Sequence, residues 1–376
     1  MKLKWGLSFL LFILGLSFLT YSCYQNRVYD WDMPGYLGSI YSWDYPDHPQ
    51  KVHELTYSSM KREAPQEKYS DIVGLNLPNK VFEKNYSAFS EQIPYYKIKV
   101  GFNAAVYVLY KCGFSGPSSV LLVNIIAYFI SGILLFLFLK YFFPDNYFIA
   151  PVLSLFVMWI PAMRGMAENP TPDMFLLVFM MLFVISVLQK RSSLIQFVFL
   201  LCCVLIRPDY ILFALSFLFV RFIYEYFNES KKINYHLILQ GFLFVSIYIF
   251  IIKIHHYPGW KDVFYDSFIS RRVVISAEKA DFTFKQYWDI LIFKLINFKR
   301  ITLVSFVLVF LIFYFSKDLW MRILAILFFA NIYIKFVFFP DGGTLRFFLG
   351  FVVLLFMVLL YVLSKKYDGF KLRKIA

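Results

Sequence analysis

The sequence predicts an all-α integral membrane protein: a polytopic bundle of about ten transmembrane helices with a long outer loop after the first helix. Three observations carry this expectation. Of the 376 residues, 60% are hydrophobic and only 16% are charged, against about 45–50% and about 25% in soluble domains. The apolar residues fall in blocks close to the roughly 20 needed to cross hydrocarbon. Lys and Arg recur at alternate block ends, where a cytoplasmic bias sets orientation. A formal charge of +14 would suggest nucleic acid in a soluble protein. Its placement at helix ends makes it topology here, and no nucleic-acid partner is expected.

Each element has its own argument. Lys2 and Lys4 precede an apolar stretch over 5–21. It is long for a signal-peptide core and ends in a poor cleavage site, Leu19-Thr20-Tyr21-Ser22-Cys23, so an uncleaved first helix is expected. Residues 23–92 form the one long hydrophilic block, rich in Tyr, Asp, Glu, Lys and Pro, expected to fold against the membrane face with short helices. Over 93–112, apolar residues are interrupted by Lys97, Lys99 and Asn103, which reads as an amphipathic interfacial helix. A turn follows at Gly113-Phe114-Ser115-Gly116-Pro117, with helix-start chemistry at Ser115 or Pro117. Further spans are expected over 118–139, 147–163, 174–188, 194–206, 210–227, 235–254, 301–315, 319–339 and 345–363. The result is one membrane domain: an extracytoplasmic segment over 23–117, a helical bundle over 118–363 and a basic cytoplasmic tail over 364–376. The four cysteines suggest no disulfide framework.

Orientation tests this division. With Lys2 and Lys4 inside, alternation puts Lys140, Lys190-Arg191, Lys231-Lys232, Lys317, Arg322 and the tail from Lys365 to Lys374 inside too. Every such junction is basic, as the positive-inside rule requires, and both termini are expected in the cytoplasm. The other junctions, placed outside, hold most of the unusual polar residues.

Four groups there could carry chemistry. Asp30 and Asp32 flank Trp31 just beyond the first helix; paired carboxylates can act as a general base or hold a divalent cation, or be no more than an acidic turn before Pro34-Gly35. Arg164, Glu168 and Asp173 lie between two spans. Thr171-Pro172-Asp173 makes a good helix start, which accounts for Asp173 but not for charges near the apolar boundary. Arg207-Pro208-Asp209 stands at the next outer junction. Arg207 follows an apolar run, where its forked donors suit a phosphate or reach lipid headgroups; Asp209 can serve as a helix-dipole partner. More loosely, His255-His256, Arg271-Arg272 and Arg346 are cations able to complete an anion pocket. No phosphate-binding or dinucleotide loop, zinc-type spacing or nucleophile elbow is present. An enzyme here would take its activated substrate from the membrane.

The order of these motifs resembles the GT-C superfamily of membrane glycosyltransferases, over most of residues 1–230. Asp30/Asp32 are similar to that family's outer acidic pair, with Trp31 between carboxylates that are often adjacent. Ile93-Pro94-Tyr95-Tyr96 resembles the start of its interfacial helix. Thr171-Pro172-Asp173 and Arg207-Pro208-Asp209 look like its Pro-Asp and Arg-Pro hairpin tips. The resemblance implies inverting sugar transfer on the extracytoplasmic face of a bacterial plasma membrane. The donor would be a polyprenyl-phosphate sugar and the acceptor a glycan, lipid or protein. Asp30 or Asp32 would be the base or a metal ligand, and Arg207 and Arg346 would neutralise phosphate. A transporter or flippase would place charges near the midplane within internal repeats, which are not evident. A non-catalytic scaffold would keep the bundle without the chemistry.

Overall fold

The computed structural model describes residues 2–341, 345–368 and 371–372. Helix α1 (Lys2–Gln25) leads into seven short helices: α2 (Met33–Asp44), α3 (Pro49–Glu63), α4 (Gln66–Gly74), α5 (Leu77–Lys84), α6 (Tyr86–Gln92), α7 (Pro94–Lys97) and α8 (Val100–Lys111). The apolar bundle follows as α9 (Gly116–Phe142), α10 (Ile149–Trp159), α11 (Pro161–Glu168), α12 (Asp173–Leu188) and α13 (Ser193–Ile206). A 3₁₀ turn, Pro208–Tyr210, opens α14 (Ile211–Glu225), and α15 (Tyr235–Ile254) comes next. The rest comprises α16 (Trp260–Phe268), α17 (Phe284–Asn297), α18 (Lys299–Phe315), α19 (Leu319–Phe338) and α20 (Arg346–Lys366). Extended pairing among the described residues is limited to Tyr367–Asp368 with Lys371–Leu372. The chain is all-α, as the composition predicts.

Among the described residues, six helices are long and apolar enough to cross a membrane, or up to eight if each of two bent pairs counts as one span. The block expected as a single span over 147–163 is one of those pairs: α10 and α11 meet at 62°. Pro161 explains the break, because it offers no N–H and forces Ile160 out of helical geometry (φ −53°, ψ 132°). The outer stretch expected over 255–300 holds α16 and α17, and α17 turns by 67° into α18. The expected interfacial helix over 93–112 is divided as well, since Lys99 leaves helical geometry (φ −82°, ψ 57°) between α7 and α8. Ser115 caps α9 by accepting the Ser118 N–H. The Gly342-Gly343 turn and the tail at Lys374 lie outside the described residues.

Burial separates centre from periphery. The apolar window of α20 is 72% buried and that of α9 61%, whereas that of α15 is 17% buried. Helix α12 packs against α9, α13 and α20, so α9, α12 and α20 form the core. Phe183, Phe213, Phe217 and Phe351 interlock there edge to face. Outer faces of α15, α17 and α18 expose Phe242, Phe250, Phe293, Phe306 and Phe310. So much contiguous apolar surface is unstable against water and suits lipid.

One end of the bundle is basic. The Trp5 indole donates to the Pro144 carbonyl at 2.9 Å, the Lys4 ammonium lies over the Tyr147 ring, and Lys140 lies over Trp5. Tyr141, Lys190, Tyr361 and Lys365 border a groove beside them.

Candidate functional site

At the opposite end, chain segments far apart in sequence meet. Beyond α1 the chain is pinned where the Val28 N–H donates to the Glu168 carbonyl at 2.8 Å. Asp30 and Asp32 follow, the latter immediately before α2. Asp30 Oδ1 accepts the Trp31 N–H at 2.6 Å. Asp32 Oδ1 accepts the Tyr96 hydroxyl at 3.0 Å, and its Oδ2 accepts Arg346 Nη2 at 3.4 Å.

Arg346, the first residue of α20, ties three segments together. Besides Asp32, it stands 3.9 Å from Asp30 Oδ2 through Nη1 and 3.9 Å from Asp173 Oδ2 through Nε. These contacts are long, and Nε is buried without a hydrogen-bond partner. Arg207 is held tightly by comparison: it pairs with Asp173 directly and with Asp209 at 3.2 Å. Asp209 in turn meets Lys335 Nζ at 3.1 Å. Both guanidiniums also rest against the Phe347 ring, at 5.1 and 5.0 Å. The network therefore runs from the α1 exit through the tips of α12, α14, α19 and α20.

Local sequence explains each placement. Arg207-Pro208 ends α13 in an extended residue (φ −142°, ψ 102°), since the residue before proline avoids helix. The Arg207 side chain then meets Asp173 at the start of α12. Thr171 does not cap that helix, as the sequence suggested; its hydroxyl donates to Asp173 Oδ2 at 3.0 Å and fixes the carboxylate. Helix α2 presses Gly35 against the Tyr96 ring so closely that a Cβ there would lie 2.3 Å from a ring carbon. Glycine at 35 lets Tyr96 reach Asp32.

The environment pushes Asp30 up to about 6, through burial and then through the Asp32 charge beside it. Burial pushes the Tyr96 phenol above its usual range, and Asp32 adds to this. Lys99, whose Nζ donates to the Tyr36 hydroxyl at 2.7 Å, is pushed down to about 8 by burial, against the opposing pull of Asp32.

Of the residues singled out from sequence, Asp30, Asp32, Asp173, Arg207, Asp209 and Arg346 converge. Arg164, Glu168 and His255 do not join them. Arg164 and Glu168 stand one turn apart on α11 and pair with each other at 3.3 Å. Arg164 also reaches the Ser22 hydroxyl at 3.3 Å. Their position braces the α1 exit. His255 ends α15, where burial and then the nearby Lys97 hold it below its usual range. Arg272 is locked in a separate knot, with Asp266 at 2.8 Å, Asp262 at 2.8 Å and the Tyr95 hydroxyl at 3.1 Å.

Sequence reasoning missed Lys335, Lys99 and the role of Tyr96. Lys335 carried a usable signal, an ionisable side chain inside an apolar helix. Tyr96 carried none, because nothing local links it to Asp32, 64 residues away. Among the described residues, no three His, Cys, Asp or Glu side chains gather as a metal site. A cation shared by Asp30 and Asp32 would take its remaining ligands from water, backbone carbonyls or a substrate.

No protein-family model matches this chain, and no curated protein or solved structure does. Function therefore rests on the geometry. It offers one carboxylate, Asp30, pushed up to about 6 and with Oδ2 in no hydrogen bond to Arg346 at 3.9 Å, beside that largely buried guanidinium, whose Nε has no hydrogen-bond partner. Proton abstraction next to an anion is the chemistry such a pair can perform.

Proposed function

We propose that the chain is a membrane glycosyltransferase of the GT-C type, moving a sugar from a polyprenyl-phosphate donor to an acceptor on the extracytoplasmic face. The observation that carries this reading is the convergence on Arg346 of Asp30, Asp32 and Asp173, three carboxylates from two distant segments. Asp30 is the base. Its Oδ2 is 3.9 Å from Arg346, outside hydrogen-bond range, and its raised pKa suits proton transfer near neutral pH. Asp32, engaged by Tyr96 and Arg346, orients the cation.

In the reaction, Asp30 Oδ2 takes the proton of the acceptor hydroxyl. The acceptor oxygen forms a bond to the anomeric carbon from the face opposite the phosphate, so configuration inverts. The bond from that carbon to the phosphate oxygen breaks, and the departing phosphate carries its charge toward Arg346. Placement and charge stabilisation supply most of the acceleration, because a polyprenyl phosphate leaves readily.

The same reading includes ten spans. The bent pairs, counted once each, and the short apolar helices α12 and α13 join the six long ones. Residues 23–117 then form the outer segment, and both termini lie in the cytoplasm of a bacterial plasma membrane. The test is sugar transfer from a labelled polyprenyl-phosphate donor in membranes carrying wild type, Asp30→Ala, Asp32→Ala or both. Loss in Asp30→Ala and a severe decrease in Asp32→Ala are expected. Full activity in both single variants and in the double rules out a carboxylate role.

A further inference from the structure

Beside the carboxylate pair lies a cavity that the reaction above does not use. It has a volume of about 20 Å³ and is bordered by Trp31, Gly35, Phe82, Gln92, Tyr96 and Arg271. Two of these side chains are incompletely satisfied. Gln92 is 3% exposed, and neither its amide nitrogen nor its amide oxygen has a hydrogen-bond partner. The Arg271 guanidinium lies over the Trp31 ring at 4.6 Å and near the Phe82 ring at 5.7 Å, yet its buried Nε is unpartnered. Among the described residues Arg271 makes no ion pair, unlike its neighbour Arg272, which has two.

A buried amide left without donors or acceptors is costly, and so is a half-buried cation without a counter-ion. Both costs vanish if one group enters the cavity and offers charge to Arg271 and lone pairs to Gln92. Charge selects that group. Arg271 is the one cation among the described residues bordering the cavity, so it balances the single charge of a carboxylate, and a space little larger than the about 10–15 Å³ a water needs admits only a small end of a ligand. Trp31 borders the cavity and is 36% exposed, so a sugar ring can stack on the part that Arg271 leaves open. Tyr96 joins the cavity to the site, since its hydroxyl donates to Asp32.

We infer that Arg271 and Gln92, with Trp31 as platform, bind the carboxylate of an acidic sugar on the acceptor side of the site. The assignment rests on the proposed transferase reading for the ligand being a sugar and for its place on the acceptor side. Binding is measured without donor or turnover, so failure of one is distinguishable from failure of the other.

The test uses the full-length protein in detergent and saturation-transfer NMR with methyl glucuronide, methyl glucoside and glucose 6-phosphate as separate probes. Methyl glucuronide is expected to bind wild type well above the other two. Arg271→Gln should weaken it roughly tenfold, the loss of one charge-assisted contact. Gln92→Leu, which keeps the helix and removes the amide, carries the same comparison if Arg271→Gln fails to fold. Equal signals from glucuronide and glucoside in wild type, or an unchanged glucuronide signal in the variants, overturn the inference and leave a cavity for water. Glucose 6-phosphate binding as well as glucuronide overturns the choice of a singly charged carboxylate.

Discussion

The two ends of the bundle are both rich in cations and differ in what those cations touch. At the basic end, Lys140 and Lys365 lie against the rings of Trp5 and Tyr361. Among the described residues, Lys140, Lys190 and Lys365 make no ion pair. At the other end, Arg207, Lys335 and Arg346 are at most 15% exposed in their side chains, and each meets at least one carboxylate. Exposed lysines at helix ends cost little and suit anionic headgroups. Buried mixed charges lose hydration that their mutual attraction only partly returns, and such groups inside a membrane protein mark function. Charge count does not separate these ends; pairing and burial do.

Breaking the buried end should have the larger consequences. Asp173→Asn leaves the largely buried Arg207 with Asp209 as its remaining close carboxylate, and the loss of a buried ion pair costs up to about 3–5 kcal/mol. The expected result is a large fall in the melting temperature of the purified protein. Arg346→Ala should leave folding nearer intact, because the contacts it loses are long. Transfer should fall about 10²–10³-fold in kcat, as when one charge-stabilising donor is removed, with Arg346→Lys recovering part of it. Gly35→Ala sharpens the comparison from the packing side. Its Cβ would displace the Tyr96 ring, and overpacking of this sort costs about 1–3 kcal/mol. Melting should fall accordingly, and Asp32 should lose its phenol partner. At the basic end, Lys190→Gln with Lys365→Gln should change stability by no more than about 0.5 kcal/mol and leave the rate of transfer unaltered.

How much of this was legible in the sequence follows the same division. The basic end could be read almost entirely, because hydropathy blocks and the Lys and Arg at their ends are local signals. α1, α9, α15, α19 and α20 stand close to where those blocks fall. The break at Pro161 was legible in principle, since proline past the first turn of a helix interrupts it. Within the site, Asp30 and Asp32 announced themselves as an acidic pair, Asp173 and Asp209 as acids at helix starts, and Arg207 and Arg346 as charges beside apolar runs. Arg164 and Glu168 carried the same signal and yet pair with each other, because one helical turn separates them and α11 faces α1. That four-residue spacing was the signal that they could be satisfied within one helix, whereas nothing local says which distant carboxylate a charge such as Arg346 will meet. The Tyr96–Asp32 and Lys335–Asp209 contacts are products of packing and have no local counterpart.

The central claim is that Asp30 acts as a base poised by its surroundings, and the pH dependence of transfer tests it most directly. Because Asp30 is pushed up to about 6, it must ionise before it can accept a proton. The wild-type rate should therefore rise with pH through an inflection near 6 and fall away in acid. In Asp32→Asn the neighbouring charge that raises Asp30 is gone, so a slower reaction should show its inflection at lower pH. Asp30→Asn should lose both rate and inflection. An Asp30→Asn protein that keeps the wild-type rate and profile would contradict the assignment.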